Sequence, residues 1–115
     1  MPNGDTIEVQ LETLGSAVVL RPIGDVDLSR ASELRMLLTS ALGPAPARLI
    51  LDLREVPYMD SSGVATFVEA MQLSRKRGSR LVLCNLQPRV LSIIEIARLD
   101  TVFTIREDID AALTA

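Results

Sequence analysis

The hydrophobic and polar positions of this chain change their spacing several times, and each change predicts a new element. Residues 7–13 alternate between apolar and polar side chains, which predicts a half-exposed strand. The turn at residues 14–16 contains Gly15 and leads into an apolar run at residues 17–20. The chain is therefore predicted to open with an antiparallel hairpin.

Apolar residues at three- and four-residue steps form three stripes, and each stripe predicts an amphipathic helix. Ser29 is the predicted N-cap of the first helix, which spans about three turns. Gly78 is predicted to end the second helix in a left-handed conformation, and Pro88 fits the first turn of the third. Residues 109–113 are predicted to form a short last helix. The stripes consist of Ala31, Leu34, Leu37, Leu38, Ala41 and Leu42, of Val64, Phe67, Val68 and Met71, and of Val90, Leu91, Ile94 and Ala97.

Short apolar runs between these stripes predict further strands at residues 49–53, 80–84 and 101–105. Residues 49–53 are almost continuously apolar, which is typical of a strand covered on both faces. Alternating strands and helices predict a mainly parallel sheet, to which the opening hairpin adds an antiparallel edge. A length of 115 residues suits one α/β domain over residues 1–115.

The composition argues against an enzyme. The chain has no histidine, which removes the usual general base and every Ser-His or Cys-His nucleophile pair. It also lacks a P-loop, an EF-hand loop and a Gly-x-Gly-x-x-Gly motif, so no cofactor is expected. The single cysteine, Cys84, lies inside an apolar run and is expected to be a buried structural thiol.

Charge and hydropathy narrow the expected partners and location. A net charge of −3 and a total of three aromatic residues disfavour nucleic acid. The four cations within residues 74–80 are expected to form a solvated helix end. No apolar run is long enough to insert into a membrane, and residues 1–5 show no secretory pattern. We therefore expect a cytoplasmic protein.

One predicted junction between a strand and a helix carries two adjacent hydroxyl groups, those of Ser61 and Ser62, between Asp60 and Gly63. In open α/β sheets, function gathers where strands end and helices begin. A helix N-terminus tolerates a phosphate, so a serine here suits a phosphorylation site. The same residue types are also favoured helix caps. Spacing alone leaves both interpretations open.

Three carboxylates, those of Asp25, Asp27 and Asp60, are expected near this junction. They would make a surface that becomes strongly acidic once a serine is phosphorylated. They also suit a Mg²⁺ site, although acidic residues at loop ends are more often turn formers or caps.

The segment Tyr58-Met59-Asp60-Ser61-Ser62-Gly63 resembles the phosphorylation loop of the STAS family, the anti-sigma factor antagonists of bacteria. A second segment, Gly24-Asp25-Val26-Asp27, is similar to the Gly-Glu-Leu-Asp segment of that family. The opening hairpin, the break at Gly78 and the sequence Pro88-Arg89-Val90 follow in the order of the family. The resemblance spans essentially the whole chain. It implies a STAS fold, with a mixed, mostly parallel sheet, an N-terminal antiparallel hairpin and about four helices.

The resemblance implies that Ser61 is the phospho-acceptor and that Asp27 belongs to the phosphorylation surface. Asp25, Asp60, Ser62 and Gly63 would complete a partner-binding surface. The unphosphorylated form would bind an anti-sigma factor with serine kinase activity and free a sigma factor, and a serine phosphatase would reset it. Asp25 stands where the family usually has Glu, and Ala65 where many members have Gly. Neither departure puts the acceptor in doubt.

Two other functions fit the same sequence. Some STAS-like domains are regulatory or scaffold subunits of a stress-signalling complex or of an ABC-type membrane transporter. An enzyme that uses carboxylates alone for nucleotide chemistry is the other alternative, and the lack of histidine counts against it. The oligomeric state stays open.

Overall fold

The computed structural model describes residues 6–115, so the expectation about a secretory signal at residues 1–5 lies outside the described residues. Strands and helices alternate after an opening strand pair, as the sequence predicts. The described residues form β1 (Glu8–Leu14), β2 (Ala17–Ile23), α1 (Leu28–Leu42), β3 (Arg48–Asp52), α2 (Ser61–Lys76), β4 (Arg80–Cys84), α3 (Pro88–Ile96), β5 (Thr104–Arg106) and α4 (Ile109–Leu113).

The strands form one mixed sheet in the order β1-β2-β3-β4-β5. β1 pairs antiparallel with β2, and each later strand pairs parallel with the one before it. This topology confirms the predicted hairpin and the mostly parallel sheet. Of the described helices, none is long and apolar enough to cross a membrane.

Both faces of the central strand β3 are buried, which confirms the prediction for this run. Leu49 and Leu51 belong to the main core with residues of α1, α2 and α3. Ile50, between them, points to the opposite face and packs in a smaller cluster with Ala112 of α4. Side chains alternate along a strand, so a strand between two helical layers must be apolar on both sides.

The ends of the helices lie where the sequence predicts them, with one correction. Gly78 has φ +73° and follows Arg77, the C-cap of α2, and Pro88 is the first residue of α3, both as predicted. Ser29, however, does not cap α1. Helix α1 begins earlier, at Leu28, and is capped by Asp27, whose carboxylate accepts a hydrogen bond from the Ser29 N–H. An earlier start makes α1 longer than three turns, with 15 residues.

The last strand is shorter than predicted. β5 covers Thr104–Arg106, whereas residues 101–103 form a turn. The backbone N–H groups of Val102 and Phe103 both donate to the Leu99 carbonyl at 3.0 Å, so they are not free to join the sheet. The β-branched residues of this run predicted a longer strand. Phe103 instead lies in a turn, and its side chain is buried in the core.

Candidate functional site

Ser61 is the first residue of α2 and is exposed to solvent. Within residues 6–115, its hydroxyl takes part in no hydrogen bond. Ser62 is half-buried and Gly63 is buried, so the two serines of the junction differ in accessibility. Of the two, the Ser61 hydroxyl is the more accessible to a second protein.

Asp60 joins the N-termini of two helices. Its Oδ1 accepts hydrogen bonds from the N–H groups of Ser62 at 2.9 Å and Gly63 at 3.3 Å, which caps α2. Its Oδ2 accepts from the N–H of Leu28, the first residue of α1, at 3.2 Å. A carboxylate at two helix N-termini is stabilised by both helix dipoles. The helix-cap interpretation therefore holds for Asp60, while Ser61 stays free.

A short parallel bridge between Val26 and Met59 brings the two acidic segments of the sequence together. The Val26 N–H donates to the Tyr58 carbonyl at 3.0 Å, and the Asp60 N–H donates to the Val26 carbonyl at 3.2 Å. Val26 and Met59 are both buried. Asp27 and Asp60 each follow a bridged residue, so they lie on the same side of the fold as Ser61.

Asp27 is a half-buried cap of α1. Its Oδ1 accepts from the Ser29 N–H at 3.1 Å and from the Ser29 hydroxyl at 2.6 Å. The hydrogen bond from the Ser29 side chain is the main reason that the pKa of Asp27 lies below its ordinary value of 3.8, and the nearby Arg30 charge adds to the effect. Asp27 is therefore negatively charged at neutral pH.

Asp25 takes part in the hydrogen bonding around this site through its backbone carbonyl. Arg30 donates from Nη1 to the Asp25 carbonyl at 3.0 Å and from Nε to the Thr6 carbonyl at 3.2 Å. These two hydrogen bonds tie the segment before α1 to the chain that leads into β1. The Asp25 residue itself is half-buried beside the acidic surface.

Gly63 is required by close packing rather than by an unusual backbone angle. A Cβ atom at this position would meet Met59 Cγ, and it would lie 2.9 Å from both Met59 Sδ and Val26 Cγ1. Any side chain would therefore push α2 away from the Val26–Met59 bridge. The glycine of the motif sets the distance between Ser61 and the acidic segment before α1.

A buried polar cluster at the end of β3 is not predicted by the patterns in the sequence. Asp52 is fully buried and accepts hydrogen bonds from Arg21 Nε at 2.8 Å and Asn85 Nδ2 at 3.0 Å. Arg54 forms an ion pair with the same carboxylate at 2.9 Å. Burial acts to raise the pKa of Asp52, but the hydrogen bonds from Asn85, Arg21 and Arg54 outweigh it and lower the pKa below 3.8. The available signal was a charged residue inside an apolar strand, which needs a partner.

The geometry argues against the Mg²⁺ interpretation. The carboxylates of Asp27 and Asp60 already accept backbone N–H groups. In the part of the chain that the structure describes, no three acidic, cysteine or histidine side chains form a group suited to a metal ion. What the site offers is an exposed hydroxyl at the positive end of a helix, directly after the carboxylate of Asp60.

Comparison with known proteins identifies the family of this chain. Residues 8–112 match the model of the STAS domain. This chain belongs to the STAS domain family. It is 35% identical over 83 residues to the anti-sigma-B factor antagonist of Listeria monocytogenes, which covers 72% of this chain and 73% of that protein. Anti-sigma factor antagonists are non-enzymatic regulators, in agreement with the expectation from composition.

Solved structures agree with the STAS fold. An anti-sigma factor antagonist from Mycobacterium paratuberculosis superposes with a TM-score of 0.86 at 22% identity, covering 99% of this chain and 97% of that one. The Bacillus cell fate determinant SpoIIAA, solved in a phosphorylated form, superposes with a TM-score of 0.68 at 23% identity, covering 90% and 96% of the two chains. The predicted STAS architecture is therefore confirmed.

Proposed function

We propose that this STAS protein is an anti-sigma factor antagonist controlled by phosphorylation of Ser61. In the unphosphorylated form it binds an anti-sigma factor with serine kinase activity and thereby frees a sigma factor. The kinase then phosphorylates Ser61 and is released, and a serine phosphatase restores the binding form. The observation that carries the proposal is the free, exposed Ser61 hydroxyl at the start of α2.

The electrostatics of the junction explain why a phosphate would act as a switch. A phosphoserine adds about −1.5 to −2 charges at neutral pH. The new charge would lie beside Asp60, whose carboxylate is already held by Leu28 and Ser62, and near the ionised Asp27. A partner packed closely on the neutral surface would then meet repulsion and a desolvation cost. A loss of about 2 kcal/mol corresponds to roughly thirtyfold weaker binding.

The fold would tolerate the modification. Negative charge in the first turn of a helix is favourable, and Ser61 is the first residue of α2. Its side chain is exposed, so a phosphoryl group needs no rearrangement of the core. The switch would therefore act by changing a surface rather than by unfolding the domain.

The test uses anti-sigma factors encoded by the source bacterium, each produced in pure form. Each is incubated with ATP and with the wild-type chain, Ser61→Ala or Ser62→Ala, and the products are mapped by peptide mass spectrometry. We expect one anti-sigma factor to place phosphate on Ser61 of the wild-type chain and of Ser62→Ala. Phosphate that persists in Ser61→Ala would contradict the assignment of the acceptor.

Calorimetry with the same anti-sigma factor tests the switch itself. We expect Ser61→Ala to bind about as tightly as the wild-type chain, and Ser61→Asp to bind about thirtyfold more weakly. Equal affinities of these two variants would contradict the charge mechanism. If no anti-sigma factor bound at all, a scaffold role would replace the proposal.

A further inference from the structure

A shallow apolar groove lies between the loop that precedes α2 and one side of α3. Its volume is about 390 Å³. Two of its residues, Tyr58 and Met59, stand three and two positions before Ser61, so the groove and the acceptor hydroxyl share one loop. We call this feature the α3 groove, lined by Tyr58, Met59, Arg89, Ser92, Ile93 and Ile96.

The α3 groove exposes large apolar side chains. Ile96 is 78% exposed and Tyr58 is 44% exposed, whereas Val90 and Ile94 on the other side of α3 are fully buried. Packing of α3 against the core therefore does not explain an isoleucine at position 96. Burial of such a side chain by a second protein contributes about 1.5–3 kcal/mol.

Arg89, at the edge of the groove, carries a charge that does not serve the fold. It is the second residue of α3, and a cation near a helix N-terminus opposes the helix dipole. It is exposed, and it forms no ion pair within residues 6–115. The guanidinium group is therefore available to a carboxylate from another molecule.

We propose that the α3 groove is a second contact for the partner that binds at Ser61. The partner inserts an apolar side chain between Tyr58 and Ile96 and places a carboxylate against Arg89. This inference rests on the proposed function for the identity of the partner. Charge complementarity favours an acidic contact at Arg89, and the shared loop makes the groove continuous with the Ser61 surface.

The two contacts have different roles in this arrangement. The groove contributes affinity that does not depend on phosphorylation, because Ile96 and Arg89 are not part of the acidic surface. The contact at Ser61 makes binding of the partner sensitive to the charge of a phosphate on that residue. The groove would therefore keep the kinase and its substrate together long enough for phosphoryl transfer.

The test measures binding and phosphorylation with the anti-sigma factor that phosphorylates Ser61 in the preceding experiment. The variants are Ile96→Ser and Arg89→Glu, and the matched control is Met36→Ser, because Met36 is 69% exposed on α1 and outside the groove. We expect each groove variant to bind about tenfold more weakly and the control to bind normally. The same variants should raise KM for Ser61 phosphorylation about tenfold at unchanged kcat, because docking precedes the chemical step. Melting curves verify that each exposed substitution leaves the fold intact.

The outcomes separate the two proposals. If Ile96→Ser and Arg89→Glu bind normally while Ser61→Asp binds weakly, the groove proposal is wrong and the proposed function stands. A loss of kcat without a change in KM, or equal weakening by Met36→Ser, would also overturn the groove proposal. If no anti-sigma factor binds the wild-type chain, both proposals fall.

Discussion

Asp60 Oδ2 accepts a hydrogen bond from the backbone N–H of Leu28 at 3.2 Å, so the carboxylate that caps α2 also holds the start of α1. The Ser61 surface is built from segments 32 residues apart, and this hydrogen bond is one of the few direct links between them. Its loss would affect both helices at once. Asp60 is therefore both a cap and a positioning residue for the candidate site.

Replacing Asp60 by Ala should lower the free energy of unfolding by about 2 kcal/mol, at the upper end for a helix cap. Three N–H groups lose their acceptor in this variant. Urea denaturation measures the change. The matched control is Asp108→Ala, because Asp108 caps only the short helix α4, through the Ala111 N–H. An equal loss in the two variants would mean that the link to α1 adds nothing.

Replacing Gly63 by Ala should destabilise the protein by about 2–3 kcal/mol, because the new methyl group overlaps Met59 and Val26. Gly78→Ala is a suitable control. Gly78 has open space around it but a φ of +73°, so alanine there costs about 1 kcal/mol through backbone strain alone.

A double-mutant cycle isolates the steric overlap with Met59 from every other effect of the Gly63→Ala substitution. Gly63→Ala should cost less in a Met59→Ala background, because the side chain nearest to the added methyl group is then shortened. Urea unfolding of the wild type, the two single variants and the double variant gives the coupling free energy between positions 59 and 63. A cost that is the same in both backgrounds would rule out the overlap with Met59.

Replacing Asp52 by Asn should lower the free energy of unfolding at neutral pH by about 2 kcal/mol, because charged hydrogen bonds from Arg21 and Arg54 lose their anion. Glu69→Gln serves as a surface control. Glu69 pairs with Arg35 at 2.6 Å, but both side chains are half exposed. Glu69→Gln should therefore lower the free energy of unfolding by about 0.5 kcal/mol or less.

The contribution of Asp52 should depend on pH in a definite direction. Its pKa in the folded protein lies below 3.8, so the unfolded chain binds the proton more readily. The extra stability is fully present above pH 3.8 and is lost as the pH falls through the folded pKa. Urea denaturation of wild type and Asp52→Asn across this range should therefore give curves that converge in acid. A constant difference down to the lowest pH would contradict the assignment.

Cys84 should be unreactive in the folded protein. It is fully buried, and burial raises the pKa of its thiol to about 12, so almost no thiolate exists at neutral pH. A thiol reagent added at about pH 8 should label the denatured chain rapidly and the native chain only as fast as it opens. Rapid labelling in native buffer would contradict this prediction.

The fold could be predicted from the sequence because local patterns and topology agree. The buried run at residues 49–53, the glycine at position 78 and Pro88 each have one favourable structural role, and the structure places them in it. Ser29 was mistaken for the cap of α1 because serine and aspartate are equally good caps, and only the backbone shows which of them precedes the first turn.

The details of the site were less accessible to sequence reasoning. The motif placed Ser61 and Asp60 at a helix start, but the hydrogen bond from Leu28 depends on how two distant segments pack. The cluster around Asp52 joins residues from three segments, at position 21, at positions 52 and 54, and at position 85, and the spacing of these segments carries no signal. The same is true of Ile96, whose exposure depends on which side of α3 packs against the core.

The order of the strands in the sheet equals their order in the chain, and this has a consequence for synthesis. Each strand that leaves the ribosome finds its neighbour already made, so the sheet can grow from one edge without waiting for a distant segment. The Val26–Met59 bridge uses only the first 59 residues, so both segments of the Ser61 surface are synthesised before β4 and β5.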